Sequence, residues 1–280
     1  MTLDLWAESQ PCAVPSLAAP PGRGYLPARM TAPPNPDAPG DTTHFGFESI
    51  ATAEKAERVQ GVFRSVARRY DLMNDLMSGG VHRLWKRRFV EVLAPRAHWR
   101  VADVAGGTGD IARRIVAAEP SATVVLVDLT PEMLVEGRAH TKTDRCLWAA
   151  GDAEALPLPD RSVDAYTIAF GLRNVARPER ALAEARRVLK PGGRFLCLEF
   201  SQVVLPLLDK LYDAYSFAVL PRLGAIVAGD APSYQYLAES IRRFPSQPKL
   251  AQMMAAAGLS RARWENLSGG IAAIHFGWRI

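Results

Sequence analysis

Asp110 and Asp128 are the carboxylates around which a ligand site can be read in this chain. Asp110 closes the stretch Arg100-Val101-Ala102-Asp103-Val104-Ala105-Gly106-Gly107-Thr108-Gly109-Asp110. An apolar run stops there at the glycines, and Ile111, Ala112, Ile115 and Val116 follow at helical spacing. The pattern reads as strand, tight turn and helix. Gly106, Gly107 and Gly109 permit positive φ and let a ligand approach the main chain where a Cβ would collide. Gly107, Gly109 and Ala112 also satisfy Gly-x-Gly-x-x-Ala, a dinucleotide pattern that is weak on its own. A dinucleotide would set its pyrophosphate at the helix N-terminus, where the Asp110 carboxylate would repel it. S-adenosylmethionine suits both acids better, because it carries an ammonium, a sulfonium and ribose hydroxyls but no phosphate. Val124-Val125-Leu126-Val127 leads to Asp128 about twenty residues on, where a nucleotide-type fold needs a ribose acceptor. The plainer alternative makes Asp110 a helix-start charge and Asp128 a solvated strand end.

The elements that would position these acids alternate regularly. Pro131 and Glu132 open a helix after the Asp128 strand, and Cys146 to Ala150 form a third strand leading to Asp152 and Ala153. Asp152, at a strand's carboxyl end, is a candidate acceptor for the adenine amino group, or else a turn aspartate. A fourth strand, Val163 to Phe170, ends in Gly171-Leu172-Arg173-Asn174. A helix from Pro178 to Leu189 stops at Lys190-Pro191-Gly192-Gly193, and Arg194 to Phe200 give a fifth strand. This alternation predicts an α/β fold with a doubly wound parallel sheet and right-handed crossovers. Beyond Ser201 the long apolar, aromatic run from Leu205 to Val227 reads as an inserted helical lid over the cofactor site. Helices near Tyr234 to Phe244 and Gln247 to Ala257 follow. Strands near Arg263 to Leu267 and Ile271 to Phe276 form a closing hairpin through Gly269-Gly270, which makes one sheet edge antiparallel.

Nine of the 21 prolines precede residue 40, so residues 1–42 read as a disordered tail, too poor in periodic apolar residues to offset the entropy of ordering. Residues 43–280 read as a single domain, with a helical cap over 54–95 and the lid insertion over 202–245. The tail lacks the composition of a transit peptide and the apolar core of a signal peptide, and Met30 is an alternative start. Val59, Val62, Phe63, Val66 and Tyr70 make one face of a cap helix; Lys55, Arg58, Arg64, Arg68 and Arg69 make the other. Arg83, Lys86, Arg87 and Arg88 form a second basic cluster among Leu84, Trp85, Phe89 and Val90. These helices either cap the cofactor domain or touch an anionic membrane. A net charge of +5 does not separate nucleic acid from a membrane face. Cys12, Cys146 and Cys197 lack metal spacing and suit a reducing compartment.

With these residues in hand, the chain resembles the S-adenosylmethionine-dependent C-methyltransferases of ubiquinone and menaquinone biosynthesis. One signature runs Tyr70-Asp71-Leu72-Met73-Asn74 to Ser78, His82 and Trp85. The other runs Phe170-Gly171-Leu172-Arg173-Asn174-Val175, then Arg187-Val188-Leu189-Lys190-Pro191-Gly192-Gly193-Arg194 and Leu198-Glu199-Phe200-Ser201. Thr43 to Phe47, Asp213 to Phe217 and Tyr236 to Ile241 look familial too, so the resemblance covers residue 43 onward. It implies a mostly parallel seven-stranded, Rossmann-like sheet and cofactor contacts at Thr108, Asp128, Asp152 and Ala153. A further familial contact, often serine, is Ala169 here, which removes a hydroxyl. The implied substrate is 2-methoxy-6-polyprenyl-1,4-benzoquinol, demethylmenaquinol or both. The resemblance further implies no metal and no nucleic-acid partner, a cytoplasmic protein at the inner membrane face, contact with other quinone-biosynthesis enzymes, and a homodimer.

Methyl transfer from a sulfonium is an in-line displacement, so the protein must hold methyl and nucleophile in attack geometry and exclude water. A quinol ring carbon becomes nucleophilic when a ring hydroxyl loses its proton. Arg173 is expected to stabilise that phenolate, with Asn174 as a hydrogen-bonding orienter; the alternative pairs Arg173 with a nearby carboxylate. Tyr212, Asp213 and His275 are candidate proton acceptors, His275 by its ordinary pKa. The rival readings are an O-methyltransferase of a small phenol, an NAD-dependent oxidoreductase and a weakly catalytic scaffold.

Overall fold

The computed structural model describes residues 41–66, 75, 78–204 and 231–280. The Pro-rich stretch before residue 41, the Tyr70–Asn74 signature and residues 205–230 of the 202–245 segment read as lid, with Tyr212 and Asp213, lie outside the described residues.

The hairpin β1 (Thr42–Phe45) and β2 (Glu48–Ala51) runs directly into α1 (Thr52–Val66). This hairpin left no periodic signal before Glu54, because a four-residue strand offers too few inward side chains to register as alternation. α2 (His82–Leu93) buries His82, Trp85, Lys86, Phe89, Val90 and Leu93 along one stripe. The two basic helices therefore pack inward, and the exposed arginines of α2 meet acids: Arg83 with Asp75, Arg88 with Glu265.

The main sheet comprises β3 (Arg100–Val104), β4 (Thr123–Asp128), β5 (Cys146–Ala150), β6 (Val163–Ala169), β7 (Leu189–Phe200), β8 (Ser260–Leu267) and β9 (Ala272–Trp278). Their order is β5-β4-β3-β6-β7-β9-β8. The first five are parallel, and β9 lies antiparallel between β7 and β8, as the closing hairpin required. β7 starts at Leu189, earlier than the sequence suggests, because Gly192 and Gly193 are tied to the backbone of Arg279 and absorb the turn into the strand.

Strand alternation sorts the core onto two faces. Leu196 and Leu198 of β7 face a cluster with Trp85, Phe89, Ile111 and Ile115, from α2 and α3 (Asp110–Ala118). Phe195 and Cys197 face Leu182, Val188, Leu250 and Met254, from α5 (Pro178–Val188) and α7 (Gln247–Ala256). α4 (Pro131–Ala139) and α6 (Ala231–Arg243) join the first face through Leu134 and through Tyr234, Leu237 and Ile241. With both faces covered, the parallel strands can be nearly continuous apolar runs. Strand order reverses between β3 and β6, and there the crevice for a ligand opens.

Candidate active site

At that switch point two residues other than glycine adopt positive φ: Ala105 after β3 (φ 50°) and Phe170 after β6 (φ 58°). Backbone held in this region costs free energy, and it is characteristic of sites whose surroundings over-determine geometry. A cavity of about 260 Å³ opens between them, lined by Gly107, Asp128, Asp152, Ala153 and Asn174 and roofed by Ala56, Val59 and Phe63 of α1. A smaller cavity beside it is lined by Gly106, Thr108, Ala169, Lys86, Asp103 and Asp110. The cofactor residues expected from sequence are thus brought together, divided between two adjoining spaces, with the exception of Gly109, which serves the turn itself.

Asp128 is more than a strand end. Its Oδ2 accepts the Gly107 N–H (2.8 Å) and its Oδ1 the Thr130 N–H (2.8 Å), while the carboxylate still borders the cavity. Burial pushes its carboxyl up, and these N–H donors pull it back. The same contact bears on the dinucleotide alternative: the Gly107 N–H that would face a pyrophosphate is already engaged by a carboxylate. Asp152 accepts the Glu154 N–H (2.8 Å), the contact of a turn aspartate, and also lines the cavity, so the two readings of this residue coincide.

Asp110 departs from the expectation of a bare acid awaiting a cation. Its carboxylate is clasped by Lys86 (2.9 Å) and Arg114 (2.9 Å). Burial alone would raise its pKa, but these two cations hold it below the ordinary carboxylate range. Asp103 in the same niche is more telling. Burial raises its carboxyl to about 7, opposed by the Thr167 hydroxyl donating to Oδ1 (2.8 Å), and its Oδ2 has no close partner among the described residues. Lys86, Asp103 and Asp110 line this small cavity together, a set of acids and an ammonium that suits a zwitterion. The donor set fits S-adenosylmethionine: Asp128 for a ribose diol, Asp152 for an amine, and the Lys86–Asp103–Asp110 niche for an amino-acid end.

Two residues expected to act in catalysis lie behind the cavity lining. Arg173 is buried and forms a 2.6 Å ion pair with Glu199, with Nη1 also donating to Phe170 O (2.6 Å). Burial raises the Glu199 carboxyl, and the Arg173 guanidinium beside it and the Phe200 and Arg173 N–H groups oppose that rise. The guanidinium charge is therefore already matched, and Arg173 does not line the cavity, whereas Asn174 does. His275 sits in the middle of β9 opposite Cys197, with Nε2 at 3.1 Å from Gln247 O and its pKa lowered to about 4 by burial. It packs against α7 and is not among the residues that line the cavity.

Two residues were hidden in the sequence. Lys55, read there as part of a solvated basic face, is buried and donates to Val175 O (2.9 Å) and Arg173 O (3.5 Å), the carbonyls on either side of Asn174. Burial lowers its pKa to about 8. Its position one turn before Val59 puts it on the apolar stripe, the signal that would have revealed it. Tyr236 of α6 donates its hydroxyl to Asn174 Oδ1 (3.0 Å) and stacks on Phe45 at 4.1 Å.

The fold is shared with solved methyltransferases. An S-adenosylmethionine-dependent methyltransferase from Thermotoga maritima superposes with a TM-score of 0.57 at 20% identity, covering 79% of this chain and all of that one. One from Aquifex aeolicus superposes at 0.53 and 16% identity, covering 74% and 97%. Sheet order, switch-point cavity and glycine turn define a class I methyltransferase. Residues 51–279 match the model of the ubiE/COQ5 methyltransferase family, and the chain belongs to that family. Among its relatives, the ubiquinone/menaquinone biosynthesis C-methyltransferase UbiE of Paracoccus denitrificans is 57% identical over 249 residues, spanning 88% of this chain and 99% of that protein. The protein of the same name in Methylobacterium nodulans is 58% identical over 245 residues, spanning 85% and 97%.

Proposed function

We propose that this protein transfers a methyl group from S-adenosylmethionine to a ring carbon of a polyprenyl quinol, 2-methoxy-6-polyprenyl-1,4-benzoquinol or demethylmenaquinol, in ubiquinone or menaquinone biosynthesis. The observation that carries this reading is the 57% identity to a quinone-biosynthesis C-methyltransferase over nearly all of that protein's length. The bound cofactor supplies an electrophilic methyl on a sulfonium. The residues of the chain do the rest by position. Asp128, Asp152 and Ala153, with the Gly106–Gly109 turn, Thr108 and Ala169, hold the donor along the ends of β3 to β6. Val59 and Phe63 of α1, with Met133 and Phe170, give the same cavity an apolar wall that excludes water and suits a quinol ring set against the donor. Asn174, in the turn after β6, is the donor at that cavity that we assign to a developing phenolate. Arg173, paired with Glu199, holds the turn from behind.

A polyprenyl tail keeps such a substrate in a bilayer, so the reading places the enzyme at the inner membrane face as a peripheral protein. No helix among the described residues is long and apolar enough to cross a membrane. Incubation with methyl-labelled S-adenosylmethionine and each reduced quinol, followed by assignment of the methylated atom, tests the proposal. A new ring C–CH3 is expected; a methyl ether would move the chain to O-methylation, and no label in either quinol would overturn the substrate class.

A further inference from the structure

The short helical turn Leu172–Asn174 is held from three directions. Lys55 of α1 grips the carbonyls of Arg173 and Val175, Glu199 of β7 accepts from the Arg173 side chain, and Tyr236 of α6 holds the Asn174 side chain. Backbone and amide of one cavity-lining residue are thus clamped by elements on either side of the central strands in sequence. Such over-determination exceeds what a turn requires.

The chemistry of the partners fixes which way the amide faces. Phe170 O lies 3.4 Å from Asn174 Nδ2, and a carbonyl can only accept, so that end must be the NH2 group. Oδ1 is then turned to Tyr236, whose hydroxyl must donate. Tyr236 keeps its proton, because burial pushes its pKa further above the ordinary phenol value. Phe170 O already takes a stronger bond from Arg173 Nη1 at 2.6 Å, and the second Asn174 N–H has no partner among the described residues.

We propose that Tyr236 is a positioning residue that locks the Asn174 amide with an N–H presented to the cavity, as the hydrogen-bond donor for the oxygen of a substrate phenolate. The proposal deepens the quinol methyltransferase reading and rests on it for the identity of that oxygen. A donor fixed before the reaction needs no reorganisation as charge develops, and removing such a donor commonly costs about 10² in rate. Without the Tyr236 hydroxyl the amide can rotate about its last torsion, while the ring stack on Phe45 persists.

The experiment is a double-mutant cycle on methyl transfer to a short-chain demethylated quinol, read with cofactor Kd by calorimetry. Tyr236→Phe is expected to lower kcat by about 10-fold, Asn174→Ala by about 10²-fold, and the double variant no further than Asn174→Ala alone, all with cofactor Kd unchanged. Additive losses, or a Tyr236→Phe variant with wild-type kcat, would overturn the proposal. Asn174→Asp keeps the acceptor for Tyr236 and loses the donor; it should fall as far as Asn174→Ala, and wild-type kcat in this variant sinks the idea even if Tyr236→Phe fails to fold. The Asn174 side-chain N–H pair, followed by NMR in the protein alone, reads the orientation without substrate. Its signals should shift and exchange faster in Tyr236→Phe, and unchanged signals refute the lock. If the native enzyme methylated no quinol, that NMR result would still decide the positioning role, separately from the function.

Discussion

At the scale of the residue, burial sets the charge state and the partners of the polar groups around the site. His275, Arg173 and Lys55 carry side chains commonly recruited for catalysis, yet each is enclosed and tied to the fold: His275 Nε2 to Gln247 O, Arg173 Nη1 to Glu199 and Lys55 to two carbonyls, with His275 Nδ1 and Arg173 Nε left without a partner among the described residues. For His275 the enclosure has a measurable consequence. Its pKa falls from 6.5 in the unfolded chain to about 4 in the fold. Above pH 6.5 neither state is protonated and the residue is neutral to stability. Below it the unfolded chain takes up a proton that the fold refuses, so stability falls as pH drops from 6.5 towards 4, by about 3 kcal/mol at most at 1.36 kcal/mol per pKa unit. Urea titrations across this range should show that slope flattened in His275→Gln. An unchanged slope would mean other groups carry the acid sensitivity.

At the scale of the element, the site is built by strand ends that approach unusually closely. Gly171 follows β6, and a Cβ there would lie 2.5 Å from the Ala105 Cβ at the end of β3. Ala105 is itself held at positive φ, so neither strand end has slack. Gly171→Ala should lose about 1–3 kcal/mol in equilibrium unfolding, typical of overpacking, and weaken cofactor binding by spreading β3 from β6. Adding Ala105→Gly removes the opposing methyl and relieves the positive φ, so the double variant should recover most of the stability; failure to recover would place the strain elsewhere. The elements themselves were largely legible. α5, α7 and the strands from β3 to β6 appear within a few residues of the sequence reading, because apolar periodicity with Gly or Pro punctuation marks them. The β1–β2 hairpin was not legible, since its strands are too short to carry a period.

At the scale of the whole molecule, the cofactor should bind the folded chain and stabilise it. S-adenosylmethionine at about 100 times its Kd adds about 2.7 kcal/mol, which for a domain of this size raises Tm by roughly 5–10 °C. Differential scanning should show that rise, no comparable rise with NADH, and little rise for Asp128→Ala at the same cofactor concentration. A shift with NADH instead would restore the dinucleotide reading. The sequence by itself determined the order of strands and helices, the glycine turn, Asp128 and Asp152 at strand ends and the family resemblance, because these follow from local periodicity and short spacings. Asp110 led to the right cofactor by an incomplete reason, since its charge is already matched by Lys86 and Arg114. Only the tertiary structure decided that match, the burial of Lys55, the pairing of Arg173 with Glu199 and the grip of Tyr236 on Asn174. Arg114 lies one helical turn from Asp110, but Lys86 is 24 positions from it, Arg173 is 26 from Glu199, Tyr236 is 62 from Asn174 and Lys55 is 120 from Val175, and no local pattern encodes which distant group a buried one will meet. Burial sets the energy of such groups, and burial belongs to the packed whole.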